Sequence, residues 1–321
     1  MNRFDSLETQ YRFENNYWKI NDDIQKNYIE INNNEYFLYH LDPTIKGNRG
    51  GNSIVFALYD AQSYDEDEEN IPISAIKISN KEYRIRGGEI ELSKKNKRFE
   101  NEVNALYYCQ SKKCRNVIDI EVAGKILNKN TGNYHPFYIM EYADSDLRKF
   151  IETKELCINE KVKLCLRISQ GLKELNEMRF YHRDLKPDNI FIINGDWKIG
   201  DLGLIESREI DSLDDINEFI GPRGWISPEV MNKYLTEGKS FTNKFDCKID
   251  HQSDIFQLGK VFWYIFQGNA PIGCIDTKDF IEKDSDIYSL LRTMLNHSKK
   301  KRFKNIDEVI LILERINKKM Y

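Results

Sequence analysis

Asp184, Asn189 and Asp201 are spaced so that one hairpin can gather an amide oxygen and two carboxylates. They lie in the stretch Tyr181 to Gly203, YHRDLKPDNIFIINGDWKIGDLG. Within it, Ile190 to Ile193 and Asp196 to Ile199 are β-prone runs joined by Asn194-Gly195. Asn-Gly between such runs is a strong hairpin signal, because both central residues of a type I′ turn need φ > 0. That turn sets Ile193 opposite Asp196 and Ile190 opposite Ile199. One step further it sets Asn189 opposite Gly200, with Asp201 just beyond. Two hard oxygen donors side by side suit a Mg²⁺ whose other ligands are phosphates and water. Asp184, on the loop entering the hairpin, adds a third acid. The outline is that of a phosphoryl-transfer site.

The elements around this hairpin must hold the rest of a nucleotide. Met1 to Asn34 is a polar lead-in in which Phe4, Leu7 and Tyr11 fall at helical spacing, so a short helix packed on the body or a partner-docking segment is expected. Asn32-Asn33-Asn34 marks its end. Tyr36 to Leu41 reads as a strand. The glycine-rich turn Gly47 to Asn52 then feeds the run Ser53 to Phe56, an arrangement that lets backbone N–H groups approach a phosphate. On its own that signal is weak. The strand Ile71 to Ile78 contains Lys77, which needs a partner or an edge position among its apolar neighbours. Arg98 to Gln110 reads as a helix with Phe99, Val103 and Leu106 on one face, and Glu102 falls within that stripe. An ion pair between Lys77 and Glu102 accounts for both misfits; the alternative is a rim glutamate reaching water. Strands near Ile118 to Leu127 and Phe137 to Tyr142 follow, then a strong helix from Ile158 to Met178.

After the hairpin, Leu204 to Ile220 has no glycine or proline and is too long for an ordinary connection, which marks a functional loop. Asp254 to Gln267, DIFQLGKVFWYIFQ, is apolar nearly all round, as expected of a helix buried at the centre of a lobe. Ile306 to Lys319 is amphipathic through Val309, Ile310, Leu313 and Ile316. The order is strands with one helix, then mainly helices, which excludes an alternating βα fold.

The composition narrows the partners. The 321 residues carry 48 Lys plus Arg against 52 Asp plus Glu, a formal net charge of -4. No global basic field draws in nucleic acid or an anionic membrane. The short basic runs at Lys94 to Arg98 and Lys299 to Lys304 read as solvated helix ends. The six cysteines make no CxxC pair and so no zinc spacing. The opening residues lack the apolar core of a signal peptide, and no apolar run reaches membrane-spanning length. A cytoplasmic setting is expected.

Taken together, these motifs resemble the eukaryotic-like Ser/Thr protein kinase family over essentially Tyr36 to Tyr321. His182 to Asn189 is similar to the catalytic loop and Asp201-Leu202-Gly203 to the metal-binding DFG motif. Ser74-Ala75-Ile76-Lys77 looks like the β3 lysine motif, with Glu102 in the place of the helix C glutamate. Met140 and Glu141-Tyr142-Ala143 resemble the gatekeeper and the adenine-binding hinge. Ser227-Pro228-Glu229 is similar to the APE motif, Asp254 to the buried helix F aspartate, and Arg302 to the arginine that pairs with the APE glutamate. The resemblance implies an α+β, bilobal protein-kinase-like fold: an N-terminal extension over 1–35, an N-lobe over 36–142 and a C-lobe over 143–321. It implies ATP and Mg²⁺ as cofactors, with Mn²⁺ as an alternative, and a protein substrate. Asp184 would orient or deprotonate the substrate hydroxyl. Lys186 would offset charge on the γ-phosphate, and Asn189 and Asp201 would hold the metal. Lys77, oriented by Glu102, would hold the α/β-phosphates. Asn48, Gly50, Ser53, Val55, Ala75 and Phe191 would complete the nucleotide site. Arg183 would offer its charged fork to a negative group on the activation segment.

Three departures from the family pattern stand out, Pro222 being the most consequential. Asn48 and Ser53 stand where glycines are usual, and Leu202 replaces the usual phenylalanine. Pro222 replaces a threonine whose hydroxyl would bridge the catalytic Asp and Lys. Ser207 and Ser212 are the only hydroxyls between Asp201 and Gly221, in a segment rich in acids: Glu206, Glu209, Asp211, Asp214, Asp215 and Glu218. One of these carboxylates is expected to pair with Arg183 in place of a phosphate, the alternative being a flexible solvated loop. Two rival functions follow from the same residues: a pseudokinase that only binds, and a small-molecule phosphotransferase with a kinase-like fold.

Overall fold

The computed structural model describes residues 5–8, 12–14, 17–41, 52–87, 89–128, 130–209, 212–240, 242 and 245–320. The chain divides into two compact units. The first comprises Met1–Gln110 with Ile118–Ala143, and the second comprises Ser111–Val117 with Asp144–Tyr321.

The first unit is built on a seven-stranded sheet. Its strands, in spatial order, are Asp5–Glu8, Ile120–Leu127, Tyr134–Glu141, Ser74–Ser79, Ser53–Asp60, Asn34–His40 and Tyr28–Ile31. All neighbours are antiparallel except Asp5–Glu8, which runs parallel to Ile120–Leu127. Side chains alternate between faces with period two, and the alternation sorts core from site. Ile54, Phe56, Leu58, Ile76, Ile78, Phe137 and Ile139 form one buried cluster with Trp18, Ile29, Ile31 and Leu38. Val55, Ala75, Lys77, Tyr138 and Met140 fall on the other parity. The register sets Val55 and Tyr138 on either side of Lys77, and Ala57 and Met140 on either side of Ala75.

Two expectations for the lead-in are corrected. Asp5–Glu8 is a strand, not part of a helix: an existing sheet edge outweighs a three-residue helical signal. Asn32-Asn33 does not close a separate lead-in but turns a hairpin between Tyr28–Ile31 and Asn34–His40. Both residues are left-handed, at φ 54 and 64, a conformation asparagine tolerates. The hairpin places Ile29 and Ile31 in the sheet's own core, where Trp18 joins the same cluster. The helix expected from Arg98 begins earlier, as Lys94–Ser111. Ser93 and Asn96 exchange side-chain-to-backbone hydrogen bonds of 3.1 and 3.2 Å at its start, which cap it.

The second unit is mainly helical: Leu147–Thr153, Ile158–Glu177, Pro228–Thr236, His251–Gln267, Ser285–Met294 and Ile306–Lys319. The fold class is therefore α+β, as expected. His251–Gln267 is its axis, buried from Ser253 to Phe266 at every position but Lys260. Burying each large apolar side chain contributes about 1.5–3 kcal/mol, so this helix is a rigid base for whatever hangs from it. Asp250 caps its start by accepting from Gln252 N at 3.0 Å, and Gly268 ends it in a left-handed conformation at φ 73. The hairpin Ile190–Ile193/Asp196–Ile199 forms in the expected register, and Gly200 N donates to Asn189 O at 3.0 Å.

Candidate active site

Lys77 and Glu102 meet within the first unit. Lys77 Nζ donates to Glu102 Oε1 at 2.8 Å and to Oε2 at 3.1 Å, with both residues buried. Neither charge would be tolerable there without the other. Tyr138, directly opposite Lys77 in the sheet, donates its hydroxyl to Glu102 Oε1 at 2.9 Å. Glu102 is therefore held from two sides, and Lys77 is aimed by a pair rather than by a single acid.

In the second unit, the loop carrying Asp184 is supported from below by the central helix. Asp254, fully buried, accepts from His182 N and Arg183 N, both at 2.8 Å. Burial pushes the Asp254 carboxyl up to about 7, against the lowering effect of those two N–H groups. His182 Nδ1 accepts from Asp184 N at 3.1 Å, so its Nε2–H is the donor to Gly200 O at 3.1 Å. Burial holds this imidazole down at about 4, neutral across the physiological range. Asn189 Nδ2 donates to Asp184 O at 2.9 Å and to Asp184 Oδ2 at 2.8 Å. Lys186 Nζ approaches the same Oδ2 at 3.3 Å. Burial raises the Asp184 carboxyl to about 6, with Lys186 opposing and Asp201 reinforcing the shift. A carboxylate in that range accepts a proton effectively near neutral pH. Because the Asn189 amide nitrogen is used on Asp184, its Oδ1 is the atom offered to a cation. Asp201 follows the Asn189–Gly200 bond in a left-handed conformation, φ 51. The donor set, an amide oxygen and a carboxylate, fits a hard divalent ion.

The segment beyond Asp201 is tied down by charge. Arg183, 3% exposed, reaches both oxygens of Asp214 at 2.7 Å and Glu206 Oε2 at 2.9 Å. Glu206–Ser207 also pairs with Phe180–Tyr181 as a short ladder. Two carboxylates thus occupy the fork that the acidic composition led us to expect one to fill. Farther on, Glu229 and Arg302 form a buried ion pair at 2.8 Å, with Ser253 donating to Glu229 at 3.0 Å.

The sequence profile of the Protein kinase domain matches residues 63–319. The chain belongs to the protein kinase domain family. Among curated relatives, Eukaryotic translation initiation factor 2-alpha kinase 1 of Plasmodium falciparum is 35% identical over 144 residues, 43% of this chain and 8% of that protein. Cyclin-dependent kinase F-3 of Oryza sativa subsp. japonica is 31% identical over 101 residues, 31% of this chain and 23% of the relative. Mitogen-activated protein kinase 4a of Physcomitrium patens is 28% identical over 154 residues, 46% and 40% of the two chains. The alignments span less than half of each of these relatives.

Within this kinase domain the residues named from sequence fall into separate groups. Val55, Ala75, Lys77 and Met140 share one parity of the sheet, with Ser53 at the start of the same strand as Val55. Asn48 and Gly50 lie outside the described residues. Glu141 is used structurally, accepting from Asp119 N at 2.7 Å, and Tyr142 and Ala143 follow it half-buried. Phe191 lies on the hairpin opposite Lys198 and Asp146. Sequence reasoning missed Tyr138, which lies within the strand expected near Phe137 to Tyr142. It also missed Gln257, although a glutamine one turn after Asp254 in an otherwise apolar helix was a visible anomaly. No helix among the described residues is long and apolar enough to cross a membrane.

Proposed function

We propose that this chain is an ATP-dependent protein kinase that transfers the γ-phosphoryl group of Mg-ATP to serine or threonine hydroxyls of a protein, its own included. The observation that carries this reading is the Asp184 carboxylate. It is buried, raised toward neutrality, and contacted by the Asn189 amide and the Lys186 ammonium. Asp184 orients the substrate hydroxyl. As that oxygen bonds to the γ-phosphorus, the bond from phosphorus to the bridging oxygen breaks. ADP leaves with the bond electrons, and the hydroxyl proton passes to Asp184. Lys186 offsets the charge building on the transferring group. Lys77, aimed by Glu102 and Tyr138, binds the α/β-phosphates. Magnesium, or manganese, held by Asn189 and Asp201 would neutralise phosphate oxygens. Lys186 and the Ser227-Pro228-Glu229 segment favour a protein substrate over a small molecule.

The test is transfer of labelled phosphate from ATP with Mg²⁺ to the chain itself and to a generic protein substrate, followed by phosphoamino-acid analysis. Wild type should label serine or threonine, and Asp184→Asn should lose about 10²- to 10⁴-fold in rate. Equal, background-level labelling by the two proteins would overturn the reading in favour of a binding module. Label on small hydroxylated acceptors alone would favour the small-molecule enzyme.

A further inference from the structure

Gln257 sits on the central helix one turn beyond Asp254, 2% exposed, in a run that is otherwise almost wholly apolar. Burying an amide without partners is unfavourable, whereas burying a methionine in the same space is favourable, so its bonds matter. Its Nε2 donates to Arg183 O at 3.1 Å, and its Oε1 accepts from Leu185 N at 3.2 Å. The two groups flank Asp184.

The rest of the loop explains why such a bracket is needed. Arg183 is left-handed, at φ 69, so the chain here follows neither helix nor ladder. Its backbone groups are met by side chains instead. Asp254 accepts from His182 N and Arg183 N, His182 Nδ1 accepts from Asp184 N, and Asn189 Nδ2 donates to Asp184 O. Removing Gln257 leaves the peptide groups before and after Asp184 without these partners. The same carbonyl also faces the segment leading to Ser227. A Cβ on Gly221, whose φ is +102, would stand 2.9 Å from Arg183 O and 3.6 Å from Gln257 Nε2. Pro222, next in the chain, has neither an N–H nor a hydroxyl with which to tie that segment to the loop.

We infer that Gln257 is a positioning residue for phosphoryl transfer: its amide brackets Asp184 and fixes the carbonyl against which the Gly221–Pro222 segment rests. The inference rests on the kinase reading above.

The decisive comparison is Gln257→Met, which keeps length and apolar bulk, with Gln257→Glu, which keeps the acceptor for Leu185 N. Gln257→Met should lower kcat by about 10- to 100-fold. ATP affinity, measured by direct titration, should stay within about twofold because Lys77 and Glu102 are untouched. Amide hydrogen exchange over 182–186 should accelerate about tenfold or more, and Gln257→Glu should restore part of the protection at Leu185. Wild-type kcat in Gln257→Met overturns the inference. So does unchanged exchange, or a kcat loss that merely follows the folded fraction. If wild type transfers no more phosphate than Asp184→Asn, the kinase reading fails instead, and the exchange measurement still decides whether Gln257 holds the loop.

Discussion

Lys77 takes its place from strand register, whereas Asp184 takes its place from side chains that reach it from a helix and from its own loop. In the sheet, Val55 and Tyr138 flank Lys77 because backbone ladders put them there, and the Glu102 carboxylate and the Tyr138 hydroxyl add side-chain contacts to that register. In the loop, the backbone groups of Arg183, Asp184 and Leu185 are met by Asp254, Gln257, His182 and Asn189. A ladder distributes the work over many residues, so no one of them fixes the register. A loop held by four side chains has no such redundancy, and each anchor is a point at which the geometry can be lost. The two positions should therefore differ sharply in how mutation affects stability.

The largest effect is expected where one side chain holds two buried N–H groups. Asp254→Ala strands His182 N and Arg183 N, at about 1–3 kcal/mol each, so urea denaturation should show a loss of about 2–6 kcal/mol. The sheet-borne trio should behave in the opposite way. Lys77→Met combined with Glu102→Leu and Tyr138→Phe removes all three polar groups together, and replacing a buried ion pair by apolar residues is often neutral or stabilising. That triple variant should stay within about 1–2 kcal/mol of wild type while losing phosphoryl transfer. A triple variant as unstable as Asp254→Ala would break the comparison.

A second effect, of similar origin, should appear as pH dependence. His182 is held neutral by burial, at about 4 against an ordinary 6.5. Its Nδ1 accepts from Asp184 N, so protonation would set two hydrogens against each other. Between those two values the unfolded chain binds the proton and the folded chain does not. Stability from this group is thus complete above about 6.5 and falls as pH drops toward 4, by about 3 kcal/mol in all. His182→Asn should flatten that part of the stability curve in denaturation experiments at pH 7.5, 6 and 4.5. A slope unchanged by the substitution would mean that the loop is not held by the imidazole.

The same contrast explains what could be read from the chain alone. Periodicity and turn chemistry report ladders and helices, and the hairpin at Asn194-Gly195 and the helix Ile306–Lys319 both came out as expected. The turn at Asn32-Asn33 uses the same left-handed chemistry as Asn194, but without a following glycine it looked like a boundary. Phe4, Leu7 and Tyr11 gave a helical spacing whose local preference the sheet edge overrode at Asp5–Glu8. In the site, Lys77 and Glu102 were legible because few charges are tolerated in apolar runs, whereas Asp184 and Asp201 were placed by the hairpin and by the resemblance of their motifs. Tyr138 was not, since a tyrosine suits a strand whatever its hydroxyl does. Gln257 is intermediate, its polarity visible but its two partners distant in sequence.

The smallest effect concerns another element fixed by side chains, the segment that Arg183 holds through Asp214 and Glu206. If carboxylates do here what a phosphate would do, the segment is ordered in the unmodified protein. Asp214 is the more buried of the two and takes both contacts at 2.7 Å, whereas Glu206 makes one at 2.9 Å and is also held by its short ladder. Asp214→Ala should therefore lower kcat by about tenfold, as expected for losing a charge-assisted pair, and Glu206→Ala by less. Ser207→Ala with Ser212→Ala should leave kcat within about twofold of wild type. Steady-state assays on protein first treated with phosphatase separate the two possibilities. A dead double-serine variant beside a normal Asp214→Ala would mean that phosphate, and not the carboxylates, orders the segment; Arg183 would then be a receptor waiting for modification, and the loop would depend on an anchor supplied from outside the chain.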